Sequence, residues 1–475
     1  MIPSKLDLSQ KIQFSALLFC LFALLCYGKF NPFFYPTAMG DDLANFLAFN
    51  HGDFASSFHQ ALGGIYAARY RPGFQLVWWG LQSTFGPNMK VFEYVNIGLT
   101  AASAVVFFWM TMSLSRSLVV SFGLAAAFVL SRFQLFQVIS ATGLLESLAL
   151  IFFMASLLCV LQCRITKWSA PYSWGAVIAS ALAVYTHERY FLVPIVYAMA
   201  LFFFGSAEAK TGSRDRLALA FLAIPISNVL IKKLAFHSDF FVGTGSAQGF
   251  HFSFEHLVQQ LGFSISSIFG FNQGWPWFFG EKYSVLPKGY LILAALLPVA
   301  FVISLASLLR DKEREKARIF VLFLLLGGAL LLPAVATFPM QPRWLVAPLA
   351  LVLLWLALVL SSRAMVPLAI SLLIVGFGYT RTFDPIVWVN YAKAVDGIRN
   401  AYDRGDLPKE GPIIFAVDED LCQWPMAKGG LFELYGHGKR DVSCVNTLDN
   451  AKRLHLNAPV FYPTAAGYRS TRSGD

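Results

Sequence analysis

Charge is what this sequence most lacks. Only 13% of its 475 residues are Asp, Glu, Lys or Arg, while 57% are hydrophobic. An ordinary soluble domain carries about 25% charged residues, so a soluble enzyme is excluded, as are a disordered chain and a fibrous repeat. Cysteine is scarce as well. Its six residues include no CxxC and no Cys/His ligand spacing, which argues against a structural zinc site. No Gly-rich phosphate loop follows a strand-like run, and no internal repeat or low-complexity segment interrupts the chain.

What is present in abundance is apolar length. Runs long enough to cross a bilayer recur from Ile12 to Tyr379. About eleven spans are expected, near residues 12–28, 91–114, 118–135, 144–162, 172–187, 190–205, 217–235, 288–309, 319–337, 344–361 and 364–380. The first follows Lys5 and Lys11 and lacks a small-x-small cleavage site, so it reads as an uncleaved signal-anchor. The net charge of +10 belongs entirely to this membrane part. The tail 381–475 holds 12 basic and 12 acidic residues, and no basic patch interleaved with aromatics, so nucleic acid is not an expected partner. Arg116, Arg164, Lys167, Lys210, Arg214, Arg216, the run Arg310 to Arg318, and Arg363 fall in alternate connections. The excess of Lys and Arg in cytoplasmic loops places those connections, and the N-terminus, inside. An odd number of spans then puts the tail on the outer face.

Two outer loops are long, 29–90 and 236–287, within a transmembrane domain expected over 1–380. In the first, Leu43, Phe46 and Leu47 recur at helical spacing after Asp42, and Phe74 to Phe85 follows Pro72. Both stretches are too short to span, so they are read as interfacial helices, with Trp78 and Trp79 at headgroup level. The tail 381–475 reads as a small α/β domain. A helical pattern over 387–404 precedes strand-like runs at 413–417, 442–445 and 459–462. The expected fold is therefore an all-α polytopic membrane protein with interfacial helices and a small C-terminal α/β domain.

Charged groups near a bilayer cost roughly 2.5–3.5 kcal/mol each at a helix centre, so those that persist need a reason. In this topology they gather at the outer edge: Asp41, Asp42, Arg69, Arg71, Glu146, His187, Glu188, Arg189 and Arg343. Taken singly, each has a plain structural reading. The aspartates are good helix caps, Arg69 and Arg71 can snorkel to lipid phosphates, His187-Glu188-Arg189 can be a solvated turn, and Arg343 beside Trp344 an interface anchor. The run Arg310 to Arg318 reads as a solvated loop, Trp275 to Phe279 as an aromatic belt, and Asp418 to Asp420 as a helix start.

Their order along the chain says more. Asp41-Asp42 stands after the first span in Met-Gly-Asp-Asp-Leu-Ala-Asn-Phe. Arg69-Tyr70-Arg71-Pro-Gly-Phe leads into the second interfacial stretch, which ends at Phe85-Gly86, with Asn96 early in the next span. Glu146 follows the third span, His187-Glu188 precedes Phe191-Leu-Val-Pro194, and Pro342-Arg343-Trp344 runs on to Pro348. This succession resembles the GT-C superfamily of membrane glycosyltransferases, especially lipid A aminoarabinose transferases and protein O-mannosyltransferases. The resemblance covers 12 to about 205 and, more thinly, 339–350. It departs from the family pattern where Asp42 replaces the usual Glu, Gly73 a common second proline, and His187 a frequent Lys.

The resemblance implies an inverting glycosyltransferase at the outer face of a bacterial-type inner membrane. Its donor would be a polyprenyl-phosphate sugar and its acceptor an envelope lipid, glycan or protein. Such a displacement needs a carboxylate as general base and cations on the departing phosphate. A carboxylate at a helix N-terminus is favoured by the helix dipole, which suits Asp41 to be the base. Asp42 and Glu146 would orient the acceptor or the base. Arg71, Arg189 and Arg343 suit the phosphate, because a planar guanidinium grips it in bidentate fashion. Arg69, Tyr70, His187 and Glu188 complete the candidate site. A divalent metal is carried as a candidate cofactor, with no ligand assigned. The alternatives are a transporter or flippase of lipid-linked substrates, and a ligase or polymerase of lipid-diphosphate-linked glycans. Transporters commonly show paired repeats and polar breaks at mid-membrane, and neither is seen. Cys422 and Cys444, in a tail expected to face an oxidising compartment, are expected to form a disulfide.

Overall fold

The computed structural model describes residues 7–50, 52–63, 70–165, 170–204, 211–236, 253–270, 288–311, 313–337, 341–360, 362–382, 386–417, 419–423, 425–435, 438, 440–446, 460–464 and 467–471. Arg69, the aromatic run 275–279 and most of the loop 236–287 lie outside these residues. Helix α1 (Leu8–Phe30) opens with a capping box, in which the Asp7 carboxylate accepts from the Gln10 N–H at 2.8 Å. The first long loop folds into α2 (Gly40–Ala48), α3 (Phe54–Gly63) and α4 (Pro72–Phe85). The bundle continues through α5 (Met89–Ser115), α6 (Leu118–Val129), the short α7 (Leu135–Ile139) and α8 (Gly143–Ile165). Next come α9 (Ala170–Thr186), α10 (Val193–Phe204), α11 (Thr211–Phe236) and, within the second long loop, α12 (Phe254–Ile268). It closes with α13 (Lys288–Asp311), α14 (Arg314–Thr337), α15 (Val346–Val359) and α16 (Ser362–Thr382).

Each of the eleven expected spans coincides with helix, yet the count of eleven is not reached. Among the described residues, seven helices are long and apolar enough to cross a membrane. These are Leu8–Phe33, Met89–Ser115, Gly143–Cys163, Arg214–Leu234, Leu291–Arg310, Arg314–Pro333 and Pro342–Val359. The expected span 118–135 is broken. Leu118–Val129 and Arg132–Ile139 meet at 46°, and counting that pair as one span gives eight. Helices α9 and α10 are shortened because the polar turn Glu188–Tyr190 separates them. On the outside of the bundle, Leu17, Leu24, Ile292, Val299, Val302 and Leu324 are exposed. An apolar exterior around a packed core is the pattern of a protein solvated by lipid. Free Cys26 and Cys163 are buried, as expected of small apolar side chains, whereas Cys20 faces outward.

The break after α6 has a specific stabiliser. A helix C-terminus leaves carbonyl groups without intrahelical donors. Lys29, fully buried at the end of α1, donates to the carbonyl of Leu130 and, at 2.9 Å, to that of Gly376 in α16. One ammonium thus ties the ends of α1 and α6 to the flank of α16.

The tail packs against that same end. It comprises α17 (Ile386–Asp403), β1 (Ile413–Ala416), α18 (Glu419–Gln423), α19 (Gly430–Leu434), β2 (Val442–Val445), β3 (Val460–Thr464) and β4 (Gly467–Thr471). The sheet order is β2-β1-β3-β4, with β1 parallel to both neighbours and β4 antiparallel to β3. Three of these strands match the expected runs, and β4 was not expected. Cys422 of α18 is disulfide-bonded to Cys444 of β2, as anticipated.

Candidate active site

The site grows from places where helices stop or start. Helix α2 begins at Gly40, whose φ of 56° is left-handed, and carries Asp41 and Asp42 in its first turn. Its apolar face, Leu43 and Phe46, is fully buried, with the Phe46 ring 5.0 Å from Trp78 and 5.1 Å from Phe92. Trp78, expected at headgroup level, is instead buried in this cluster and donates its indole N–H to Gln82 Oε1 at 2.8 Å. Asp42 lies on the buried face. Its Oδ1 accepts from the Ser140 hydroxyl at 2.7 Å and the Thr142 N–H at 2.6 Å, and its Oδ2 from the Tyr35 hydroxyl at 2.7 Å. Burial pushes this carboxyl up, and the hydrogen bonds from Thr142, Tyr35 and Ser140 pull it back only in part. The turn that supplies two of these donors needs Gly143, where a Cβ would stand 2.3 Å from the Gln137 carbonyl oxygen. Behind it, Glu93 Oε1 accepts from the Tyr35 N–H at 3.3 Å and the Asn96 amide donates to the Ser140 carbonyl at 2.8 Å.

Asp42 is therefore occupied in holding α2 against the turn before α8. Asp41, on the flank of the same helix turn, is half-buried, and its charge acts on Arg343. The two neighbouring carboxylates, grouped together by sequence, have different surroundings.

Glu146 is the hub of the cationic side. It is buried in the first turn of α8, and its Oε1 accepts from Arg189 Nη2 at 2.6 Å. His187 Nε2 lies 3.3 Å from the same oxygen, and Arg343 Nε lies at 3.9 Å. The backbone places these groups. His187 caps the Glu188–Tyr190 turn, its Nδ1 accepting from the Arg189 N–H at 3.3 Å, and its Nε2 lies between Glu146 Oε1 and, at 3.1 Å, Arg189 Nη2. The Pro342–Leu345 turn at the head of α15 carries Arg343. Its guanidinium stacks 4.0 Å from the Phe136 ring, while Arg189 stacks 4.7 Å from Trp344.

Arg71 and Glu188 form a second pair. Arg71 precedes α4, where Pro72 fixes the helix start. Its Nε donates to Glu188 Oε2 at 2.6 Å, and Nη2 donates to Oε1, a bidentate fork. Burial alone would raise the Glu188 carboxyl, but Arg71 and then His187 outweigh it and hold that group well below the usual carboxylate range. Tyr70 sits beside this pair in an aromatic wall, 6.1 Å from the Tyr185 ring.

Of the residues expected from sequence, the structure joins Glu146, His187, Arg189 and Arg343 in one network, with Asp41 beside it. Arg71 is paired with Glu188 in its bidentate fork. Sequence reasoning missed Lys232, buried near the end of α11 and close enough to Glu188 and Arg71 for their charges to interact. It also missed Lys29, Tyr35 and Glu93. The two lysines had a usable signal, because each stands at a span end opposite the Lys/Arg-rich connections. Among the described residues, no group of three or more His, Cys, Asp or Glu side chains is arranged to hold a metal ion.

No protein-family model matches this sequence, and no curated protein matches it. The chain is similar to the crystal structure of ArnT from Cupriavidus metallidurans in the apo state, at 12% identity and a TM-score of 0.48, over 94% of this chain and 92% of that one. It is also similar to the structure of that ArnT bound to undecaprenyl phosphate, at 13% identity and a TM-score of 0.45, over 95% and 93%. Roles for individual residues rest on the geometry of this chain.

Proposed function

We propose that this protein is an inverting glycosyltransferase. It would move a sugar from a polyprenyl-phosphate donor to an envelope acceptor at the outer face of a bacterial-type inner membrane. The observation that carries this reading is the convergence, at one end of a membrane bundle, of a carboxylate at a helix start with a partly exposed guanidinium. Asp41 lies in the first turn of α2, Arg343 lies in the turn before α15, and the Asp41 charge acts on Arg343. Arg343 keeps 17% of its side chain exposed, against 6% for Arg189 and 9% for Arg71. It is therefore the arginine best placed to meet an incoming anion.

The chemistry follows from that arrangement. An acceptor hydroxyl oxygen attacks the anomeric carbon while Asp41 takes its proton. The bond from that carbon to the phosphate oxygen breaks, its electron pair leaves with the phosphate, and a single displacement inverts the centre. Arg343 meets the charge that develops on the departing phosphate. Glu146 sets the position of Arg189 and Arg343, and His187 braces Glu146 from the other side. Arg71 and Glu188 fix the start of α4 against the α9–α10 break. Asp42 orients Asp41 by fixing the helix that carries both.

The test is reconstitution. Purified protein is incubated with polyprenyl-phosphate sugars and candidate acceptors, and products are identified by mass spectrometry. A glycosylated acceptor with inverted anomeric configuration, lost in Asp41→Asn, is the expected result. Movement of such lipids across liposome membranes without any transfer would replace this reading with a carrier. A requirement for a diphosphate donor would favour a glycan ligase or polymerase.

A further inference from the structure

Helix α2 has no side-chain cap of its own. Its N-cap position is Met39, whose carbonyl accepts from the Asp42 N–H at 3.1 Å but whose side chain offers no oxygen to the Gly40 N–H. The tail supplies what is missing. The Gly40 N–H donates to the Pro425 carbonyl at 2.9 Å, and the Ala38 N–H donates to the Tyr435 hydroxyl at 3.0 Å. The Thr37 hydroxyl donates to Asp396 Oδ1 at 2.6 Å. Gly430 lies directly against the Leu47 side chain on the same helix. Arg399 of α17 stacks 3.9 Å over the Tyr435 ring and fixes its orientation.

Three of these contacts share one feature. Pro425, Gly430 and Tyr435 all fall between Cys422 and Cys444, a stretch closed by the disulfide. We propose that this disulfide-closed segment is the positioning element for Asp41, capping α2 from outside the bundle so that the carboxylate is fixed at the helix start. The inference rests on the glycosyltransferase reading, since it gives the tail a part in that same site. A Gly at the helix start leaves the first turn free to fray, and Asp41 is the next residue. Losing the cap would carry the proposed base away from Arg343 without touching either side chain. Closure of the loop limits the conformations from which the grip must form.

Tyr435→Phe tests this, because it keeps the ring on Arg399 and removes only the acceptor for Ala38. Two readouts are taken: hydrogen–deuterium exchange at residues 38–41, and kcat and KM for the polyprenyl-phosphate sugar. The loss of one hydrogen bond should speed exchange there by about five- to tenfold. By the same reasoning kcat should fall by about the same factor, with KM for the donor unchanged and exchange in α8 unaffected. Exchange and kcat at wild-type values would overturn the proposal. A second arm treats wild-type protein with a phosphine reductant, which becomes its oxide as the disulfide gains two electrons and two protons. The Cys422→Ser, Cys444→Ser double variant is the genetic equivalent. Both should loosen residues 38–41, and unchanged exchange in both would also overturn the proposal. If wild-type protein transfers no sugar at all, the glycosyltransferase reading falls, while the exchange data still decide whether the segment grips α2.

Discussion

Substituting Asp41 and Asp42 separately should give opposite phenotypes, although the residues are adjacent and identical. Asp42→Ala removes the acceptor of three buried donors, the Tyr35 and Ser140 hydroxyls and the Thr142 N–H. A buried donor left unpaired costs about 1–3 kcal/mol. Allowing the hydroxyls some reorientation, the loss should be about 3–5 kcal/mol, by the same bookkeeping. Asp42→Asn keeps an oxygen for Ser140 and Thr142 and turns its amide toward Tyr35, whose hydroxyl can rotate to accept, so it should cost only about 1 kcal/mol. Asp41→Asn should leave the unfolding midpoint nearly unchanged and cut kcat by about 10²–10⁴-fold, the usual scale of general-base loss. Thermal unfolding of detergent-purified variants, followed by intrinsic fluorescence, measures the first effect, and single-turnover transfer measures the second. The pH dependence adds a sign. Asp42 is raised by burial, so the folded state holds its proton more tightly than the unfolded chain. The stability this gives is present below the ordinary Asp value and is lost as pH rises through the folded one. Asp42→Asn, which cannot ionise, should flatten that decline. If Asp42→Ala unfolds with the wild-type midpoint, or both Asn variants lose the same fraction of rate, the division of labour is wrong.

Glu146→Gln should leave Arg189 and Arg343 without their shared carboxylate, lowering transfer by more than about tenfold and destabilising the fold by about 3–5 kcal/mol, the range for breaking a buried pair; a wild-type midpoint would contradict the hub role. Glu188 is held low by Arg71 and His187, so its contribution is present above the ordinary Glu value and fades as pH falls through the folded one. Below about pH 4, unfolding midpoints should therefore fall less steeply with falling pH in Glu188→Gln than in wild type, and parallel curves would refute the pairing. Lys29→Met removes a donor from two buried carbonyls, at Leu130 and Gly376, and should cost about 2–4 kcal/mol; loss below about 1 kcal/mol would mean that water or a neighbour already serves those groups.

The fold was legible where one physical signal dominated. Apolar length placed helix at every expected span, because in lipid every backbone polar group has to be satisfied within the segment. The break inside 118–135 was not legible, since the residues between Val129 and Arg132 are Leu130 and Ser131 and contain neither Gly nor Pro. What permits it is Lys29 of α1, a donor from a distant part of the chain, and no local pattern reports it. Strand β4 was missed for a related reason. Gly467-Tyr-Arg-Ser-Thr471 has no apolar alternation, and its pairing depends on the antiparallel edge that β3 offers.

The site divides along the same line. Residue type and chain order brought out Asp41, Glu146, His187, Arg189 and Arg343, because charges beside a bilayer are costly and persist where something uses them. Who pairs with whom depends on helix breaks meeting in space, so the fork that Arg71 makes with Glu188 was not legible in the sequence. One distinction, however, was available in the sequence. Asp42 stands four residues before Phe46 and seven before Phe49, on the stripe that α2 buries, whereas Asp41 falls to its side. A carboxylate on the apolar stripe of a short helix has to bring its own donors into the core, and Tyr35, Ser140 and Thr142 are those donors. The helical period that identified the stripe thus already separated the carboxylate that holds the helix from the one left at its flank, beside Arg343.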